Sequence, residues 1–346
     1  MKDIMKSYKQ KIDLQLAGFF DSRLKRAESV SATARQAFEA LREFSLRGGK
    51  RIRPMLAIFS YKGFGGRNEP EIIKAALAVE LMESYLLIHD DIIDQDELRR
   101  GYLTIHKIYE NKAKDKHYGA SMAIVVGDIA CSLGNEAILA TGFPADRKLK
   151  AIETFNRVII NTCFGQMLDI DSETNPNITE QDILKIHTLK TAIYTIDGPL
   201  QIGAILAGAG QRSLEQLSGF AIPLGKAFQI QDDILGLFGS QEKIGKPIGS
   251  DVKEGKKTLL ILKAMENAAP AQQRFIQKSL GNRKIQNTDV EQIRKIVADT
   301  GSLDYSRRLM ANCIAEAKSV LERISMAREG KQFMESIADY IVQRDR

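Results

Sequence analysis

The sequence predicts an all-α protein, on three observations. Strand-like alternation of apolar and polar residues is hard to find anywhere in the 346 residues. Eight prolines, at 54, 70, 144, 176, 199, 223, 247 and 270, cut the chain into pieces of helix length. From Pro70 to Asp90 nearly every turn carries Ile, Leu, Val, Met or Ala on more than one side, which predicts a helix buried all round and therefore central. With 44% apolar and 27% charged residues the composition is that of a globular protein with a sizeable core, and the length suits one large or two ordinary domains.

In chain order, residues 4–44 mix apolar and charged positions at helical spacing and end at Ser45-Leu-Arg-Gly-Gly-Lys-Arg-Ile-Arg-Pro54. Two glycines, three cations and a proline suited to a first helical turn make this a good anion site, against the plainer reading of a solvated basic loop. Gly63 to Arg67 connects to the central helix, after which come Asp96, Glu97, Arg99, Arg100 and Gly101. Residues 120–139 are small and apolar, and close helix packing explains Gly127. Phe143-Pro144 opens a helix that runs to Gln166 and Asp169, three apart on one face. Thr179-Glu-Gln-Asp182 has the form of a capping box, and the helix it starts carries Lys190 and Thr191 before a kink expected at Gly198-Pro199. Lys190 lies among Ile186, Leu189, Ala192 and Ile193, so it needs an anionic partner. The Gly/Ala-rich stretch 203–210 reads as close packing, and the helices from Leu259 onward read as structural. His106 and His117 lie in a polar, Lys-rich stretch and suggest no chemistry.

Asp90, Asp91 and Asp94 stand at the C-terminal end of the central helix. The i, i+4 pair shares a face and Asp91 lies about 100° round, so three carboxylates can converge on one point. The negative end of the helix dipole and burial both disfavour their charge, so a cation must offset it. Carboxylates without Cys, and with one adjacent His, suit a hard cation such as Mg²⁺, which typically takes one or two carboxylates plus substrate phosphates. An isolated Asp-Asp-x-x-Asp is common on solvated helix ends. Here Phe228-Gln229-Ile-Gln-Asp232-Asp233-Ile-Leu-Gly236 is a second copy of paired aspartates after an apolar, helical run.

Lys50, Arg53, Arg99, Arg100, Lys190, Lys246 and Lys256 are more cations than the carboxylates require, and phosphorylated substrates would account for both signs. Upstream of the first motif Leu81, Met82, Tyr85 and Leu86 are apolar, which points to diphosphate on a hydrocarbon. The loop from Gly249 to Gly255 fails as a phosphate-binding P-loop on spacing, with Lys257 where Ser or Thr is needed. A net charge of +6, no Trp and no Lys/Arg block interleaved with aromatics argue against nucleic acid. Cys131, Cys163 and Cys313 are far apart, which suggests buried thiols in a reducing compartment. No signal-peptide core and no run approaching 18 apolar residues lead to the expectation of a cytoplasmic protein with no transmembrane segment.

These motifs, in this order, resemble the trans-isoprenyl diphosphate synthases of the polyprenyl synthetase family: Gly48 to Pro54, Asp90-Asp-Ile-Ile-Asp94 with Arg99-Arg100-Gly101, Gly165-Gln166, Lys190-Thr191, Phe228 to Asp233, and Gly245-Lys246 through Lys256. The resemblance covers almost the whole chain. It implies a single all-helical domain over residues 1–346, a bundle around a deep central cavity, usually a homodimer. It also implies head-to-tail condensation, in which several Mg²⁺ ions, with Mn²⁺ as a substitute, are held by Asp90, Asp91, Asp94, Asp232 and Asp233. An allylic diphosphate ionises, isopentenyl diphosphate attacks the cation, and a proton is lost to the released diphosphate. Lys50, Arg53 and Arg100 would hold isopentenyl diphosphate; Arg99, Lys190, Lys246 and Lys256 the allylic diphosphate; Thr191 and Gln229 would face the developing cation. Two departures stand out: Glu83 replaces the His or Gln that often contacts isopentenyl diphosphate, and Gly236 replaces a final aspartate. Tyr85, five residues ahead of Asp90, with Leu86 beside it, resembles the geranylgeranyl (C20) type of archaeal enzymes. A farnesyl product, a terpene cyclase and a non-catalytic regulatory subunit are the alternatives, the last two disfavoured by Gly48 to Pro54 and by an intact first aspartate motif.

Overall fold

The computed structural model describes residues 2–239 and 248–343, and nearly all of their regular structure is helical. The chain forms two compact units, each built from separate stretches. The first takes the chain up to Asn156 with Pro199–Gly210 and Met326–Phe333; the second takes Arg157–Gly198, Gln211–Ser325 and the chain from Met334.

The first unit contains α1 (Lys2–Val30), α2 (Ala32–Leu46), α3 (Ile52–Gly63), α4 (Glu69–Ile93), α5 (Ile105–Ala113), α6 (Lys116–Leu139), the start of α7 (Ala145–Thr174) and most of α9 (Gly198–Ala207). Helix α4 is its core. Asn68 caps it, Pro70 lies in its first turn, and Glu69 and Glu71 face the positive end of its dipole. Ile72, Ile73 and the run from Ala75 to Met82 are buried without interruption, so no side of this stretch faces water. It packs against α3 and α6, and glycines set the approach. A Cβ on Gly127 of α6 would lie 2.3 Å from His89 Nε2, and one on Gly203 of α9 would lie 2.0 Å from the carbonyl oxygen of Ala57 in α3.

One polar cluster fixes α1 to α3 and α4. The Glu69 carboxylate accepts from Tyr8 Oη at 2.6 Å and Lys11 Nζ at 2.5 Å, and pairs with Lys62 Nζ at 2.8 Å. Burial pushes this carboxyl up, but the three donors outweigh it and hold it down at about 2. A depressed carboxylate contributes stability that is complete above its ordinary pKa and is lost as pH falls through its folded value. Glu69→Gln is therefore expected to cost about 2 kcal/mol at pH 7 after allowance for partial exposure. In urea titrations the gap from wild type should close between about pH 4.5 and 2.

An all-α reading misses one small element. After α4, β1 (Leu98–Arg99) and β2 (Tyr102–Leu103) form an antiparallel hairpin with Leu98 opposite Leu103 and Arg99 opposite Tyr102. Its two turn residues both have positive φ, Arg100 at 55° and Gly101 at 81°, as a twist-matched two-residue turn requires. Two residues per strand are too few to show alternation. Contrary to the hydropathy expectation, α6 is long and apolar enough to cross a membrane by length and composition, but it lies along α4 with Ala123, Val126, Gly127, Ala130, Leu133 and Gly134 buried.

The second unit holds the rest of α7, α8 (Glu180–Ile186), a π-helix (His187–Asp197), α10 (Gln211–Phe238), α11 (Ser250–Glu254), α12 (Leu259–Asn267), α13 (Pro270–Ser279), α14 (Asn287–Asp299), α15 (Ser302–Arg323) and most of α16 (Arg328–Gln343). Thr179 and Asp182 form the expected reciprocal cap of α8. Just before Gly198-Pro199, where a kink is expected, the helix runs through wide turns in which the Gly198 N–H donates to Ile193, five residues back. All three cysteines are free; Cys313 is buried, whereas Cys131 and Cys163 are only partly so.

Candidate active site

The first aspartate motif closes α4. The Asp94 N–H donates to the Asp90 carbonyl at 2.8 Å, which ends the helix at the motif itself. Asp90 is half-buried and Asp94 is buried. Asp91 does not join them. It points about 100° away, fully buried, and pairs with Arg99 of the hairpin. Among the described residues no three His, Cys, Asp or Glu side chains are grouped to hold a metal ion, so the expected convergence of three carboxylates is not what α4 presents. Burial pushes the Asp91 carboxyl up to about 7 despite Arg99. Arg99 also lies 3.3 Å from Asp96 and 3.8 Å from Asp90, so one guanidinium serves three carboxylates.

The arginines around Pro54 divide into two tiers. Gly48 and Gly49, with φ of 101° and 104°, turn the chain so that Arg51, itself left-handed, can cap α3 and point inward. Its guanidinium, 2% exposed, pairs with Glu80, bonds Asp13 at 2.7 Å and donates to the Ser45 carbonyl at 2.8 Å. Arg53 faces Glu83 instead, Nη1 to Oε1 at 3.0 Å, and Arg100 reaches the same oxygen at 3.2 Å while donating to the Gly48 carbonyl at 3.1 Å. Glu83 is thus paired twice over. Burial pushes its carboxyl up, and the attraction of Arg53 and Arg100 outweighs this and keeps it below the usual range. Lys50 is half-buried in the same loop. Tyr85, one turn before His89, packs its ring edge-on against that imidazole with centroids 4.7 Å apart, and Leu86 beside it is half-buried.

In the second unit the π-helix is clasped between two glycines. A Cβ on Gly165 of α7 would lie 2.3 Å from the Lys190 backbone nitrogen, and one on Gly225 of α10 would lie 2.4 Å from Ala192. Backbone contact this close fixes Lys190 and Thr191 in register with α7 and α10. Lys190 finds the anion its apolar sequence context demanded, donating to Asp169 Oδ2 at 2.6 Å. Thr191 donates its hydroxyl to Gln229 Oε1 at 2.6 Å, and the Gln229 amide donates to Asp233 Oδ1 at 2.7 Å. The other Asp233 oxygen lies 3.3 Å from His187 Nε2, off hydrogen-bonding alignment, and is buried. Asp232, its neighbour, is half-buried.

The glycine that ends the second motif also has a structural account. A Cβ at Gly236 would lie 2.7 Å from Asp251 Oδ2, so a carboxylate from α11 occupies the space beside it. The Gly249 N–H donates to the Gly236 carbonyl at 3.1 Å, tying this loop to the end of α10. Lys256 follows two residues after Glu254, with which it pairs at 2.7 Å. Lys246 lies outside the described residues.

The candidate ligands are carboxylate oxygens, and Oδ2 of Asp233 is buried without a hydrogen-bond partner. Oxygens in that position suit a hard divalent cation. Sequence reasoning missed His187, whose side chain is buried against Asp233 in a segment that carried no recognisable metal or catalytic spacing. It also left Glu83 without a role. The spacing of Glu83 from Gly48 and Arg100 gave no sign that they meet.

Each unit carries one aspartate-rich helical motif with arginine or lysine in the same unit, the pattern of a transferase that handles diphosphates. The chain belongs to the polyprenyl synthetase family, whose model matches residues 34–297, and it is a prenyltransferase. It is 34% identical to the geranylgeranyl diphosphate synthase of Sulfolobus acidocaldarius over 91% of this chain and 93% of that one. It is 31% identical to the geranylfarnesyl diphosphate synthase of Natronomonas pharaonis over 86% of each. The crystal structure of Corynebacterium glutamicum geranylgeranyl pyrophosphate synthase, complexed with isoprenyl diphosphate and magnesium, superposes with a TM-score of 0.91 at 28% identity, covering 97% of this chain and 98% of that one.

Proposed function

We propose that this protein condenses isopentenyl diphosphate head to tail with allylic diphosphates, releasing diphosphate and forming an all-trans C20 product, geranylgeranyl diphosphate. Family membership together with retention of both aspartate motifs and of Gly48 to Pro54 carries this reading. Asp90, Asp94, Asp232 and Asp233 are assigned to Mg²⁺, with Mn²⁺ as a substitute, and Asp91 is assigned to holding Arg99. When bound, the metal neutralises the allylic diphosphate and stabilises it as a leaving group. The protein's own groups do the rest. Arg99, Lys190, Lys246 and Lys256 bind that diphosphate, and Asp169 holds Lys190 in place. As the C–O bond breaks, its electron pair leaves with diphosphate, and the oxygens of Thr191 and Gln229 face the cation that develops. The bond Gln229 makes to Asp233 fixes which way its amide points. Isopentenyl diphosphate, held by Lys50, Arg53 and Arg100, supplies its π electrons to the new C–C bond, and the released diphosphate takes the proton.

Labelled isopentenyl diphosphate supplied with Mg²⁺ and a set of allylic primers tests the reading. Incorporation into a C20 prenyl diphosphate supports it; product formed without isopentenyl diphosphate would point to a cyclase, and no incorporation to a regulatory subunit. Product length is assigned to Tyr85 and Leu86 as the floor against which the chain grows. Tyr85→Ala is expected to shift the main product by at least one C5 unit, read by chromatography of the dephosphorylated alcohols. An unchanged profile would place the floor elsewhere.

The proposed assembly is a homodimer and the proposed compartment the cytoplasm, and exposed apolar side chains fit the first of these. Ile124 and Val125 on α6 are exposed, and Ile160, Phe164 and Met167 form an exposed stripe at helical spacing on α7.

A further inference from the structure

The arrangement around Glu83 goes beyond the reaction itself. Of the charges near Gly48 to Pro54, the inner pair is closed, with Arg51 2% exposed and Glu80 3%, and Asp13, 30% exposed, pairs with Arg51 from outside. The outer group is more open, with Arg100 30% exposed, Arg53 14% and Glu83 13%. Both outer guanidiniums converge on one oxygen, Oε1 of Glu83. Two arginines aimed at one point are what a diphosphate needs, since planar multi-donor contacts match its oxygens. In this chain that point is occupied by a side-chain carboxylate of the same charge sign as the ligand.

We propose that Glu83 is a resident counter-anion for Arg53 and Arg100, one that isopentenyl diphosphate must outcompete, and that it thereby sets the affinity of the isopentenyl diphosphate site. This rests on the assignment of those two arginines above. With Glu83 ionised, the outer group of Arg53, Arg100 and Glu83 carries one net positive charge; with glutamine there it carries two. The inner group does not alter this difference, because Arg51 and Lys9 balance Asp13 and Glu80. The repulsion between Glu83 and an incoming diphosphate acts at a largely buried position, where solvent screens it weakly. Glutamine keeps the length of the side chain and an oxygen able to accept from one guanidinium, so removal of the charge is the main change.

The test is steady-state kinetics of the full-length protein with isopentenyl diphosphate varied at a saturating allylic primer, for wild type, Glu83→Gln and Glu83→Asp, with melting temperatures alongside. Glu83→Gln is expected to lower KM for isopentenyl diphosphate roughly tenfold, about 1.4 kcal/mol. The inhibition constant of inorganic pyrophosphate competing at that site should fall in parallel, while KM for the allylic diphosphate stays within about twofold. Glu83→Asp, which keeps the charge, should show no such decrease. A carboxylate that merely positions the arginines gives the opposite sign, a raised KM in Glu83→Gln. An active wild type with an unchanged or raised KM in that variant overturns the role of Glu83 alone, whereas a wild type inactive with every primer overturns the prenyl-transfer reading along with it.

Discussion

Replacing Asp90 by alanine is expected to lower kcat by about 10³-fold or more, and Asp232→Ala by a comparable factor, with little change in melting temperature. Both side chains are half-buried at or near helix ends, so their loss removes mainly charge. In the proposed reaction these carboxylates hold the cations that make diphosphate a leaving group, and a lost electrostatic contribution of about 4 kcal/mol corresponds to that factor. Asp91 should behave differently. Its carboxylate pairs with Arg99 in a buried setting, so Asp91→Ala takes the nearest of three carboxylates from that guanidinium and is expected to lower stability as well as rate. Rates under saturating Mg²⁺, read beside thermal unfolding, separate the two behaviours.

The largest stability effect is expected at Arg51. Arg51→Met fills similar volume but leaves Glu80 buried without its cation, at a cost of about 3–5 kcal/mol. Burial pushes the Glu80 carboxyl up, and Glu83 adds to this, so without Arg51 it would take a proton rather than stay ionised. The double variant Arg51→Met with Glu80→Gln should recover most of the loss, because neither member of the pair then remains alone. Urea unfolding of the single and double variants measures this directly. A loss in the single variant that the double does not reverse would mean that Arg51 acts through the left-handed turn at the start of α3 rather than through its charge.

Much of this was legible in the sequence wherever a local pattern reports on a local cause. The burial of α4 followed from its apolar periodicity, the cap at Thr179 from its spacing to Asp182, and the need of Lys190 for an anion from its neighbours. Gly127 and Gly203 were readable as close contacts because a glycine inside an apolar helix has few other reasons to be there. What was not legible depends on which distant residues meet. Glu83 looked out of place beside a diphosphate site until Arg53 and Arg100 were found on one of its oxygens. The hairpin was too short to show a period of two, and the π-helix has the composition of an ordinary helix. Its wide turns are held by glycines on two other elements, Gly165 and Gly225, about which the segment itself carries no information. The helical spacing of Asp90, Asp91 and Asp94 allowed a three-way cluster, but the middle one, about 100° round the helix, is buried against Arg99 instead.

The central claim is that the proposed reaction needs each acidic motif. Mg²⁺-dependent binding of a non-hydrolysable allylic thiodiphosphate, measured by calorimetry for wild type, Asp90→Asn and Asp232→Asn, tests it most directly. The account predicts that each substitution weakens the Mg²⁺-dependent binding at least tenfold, about 1.4 kcal/mol. Full binding in either variant would contradict it.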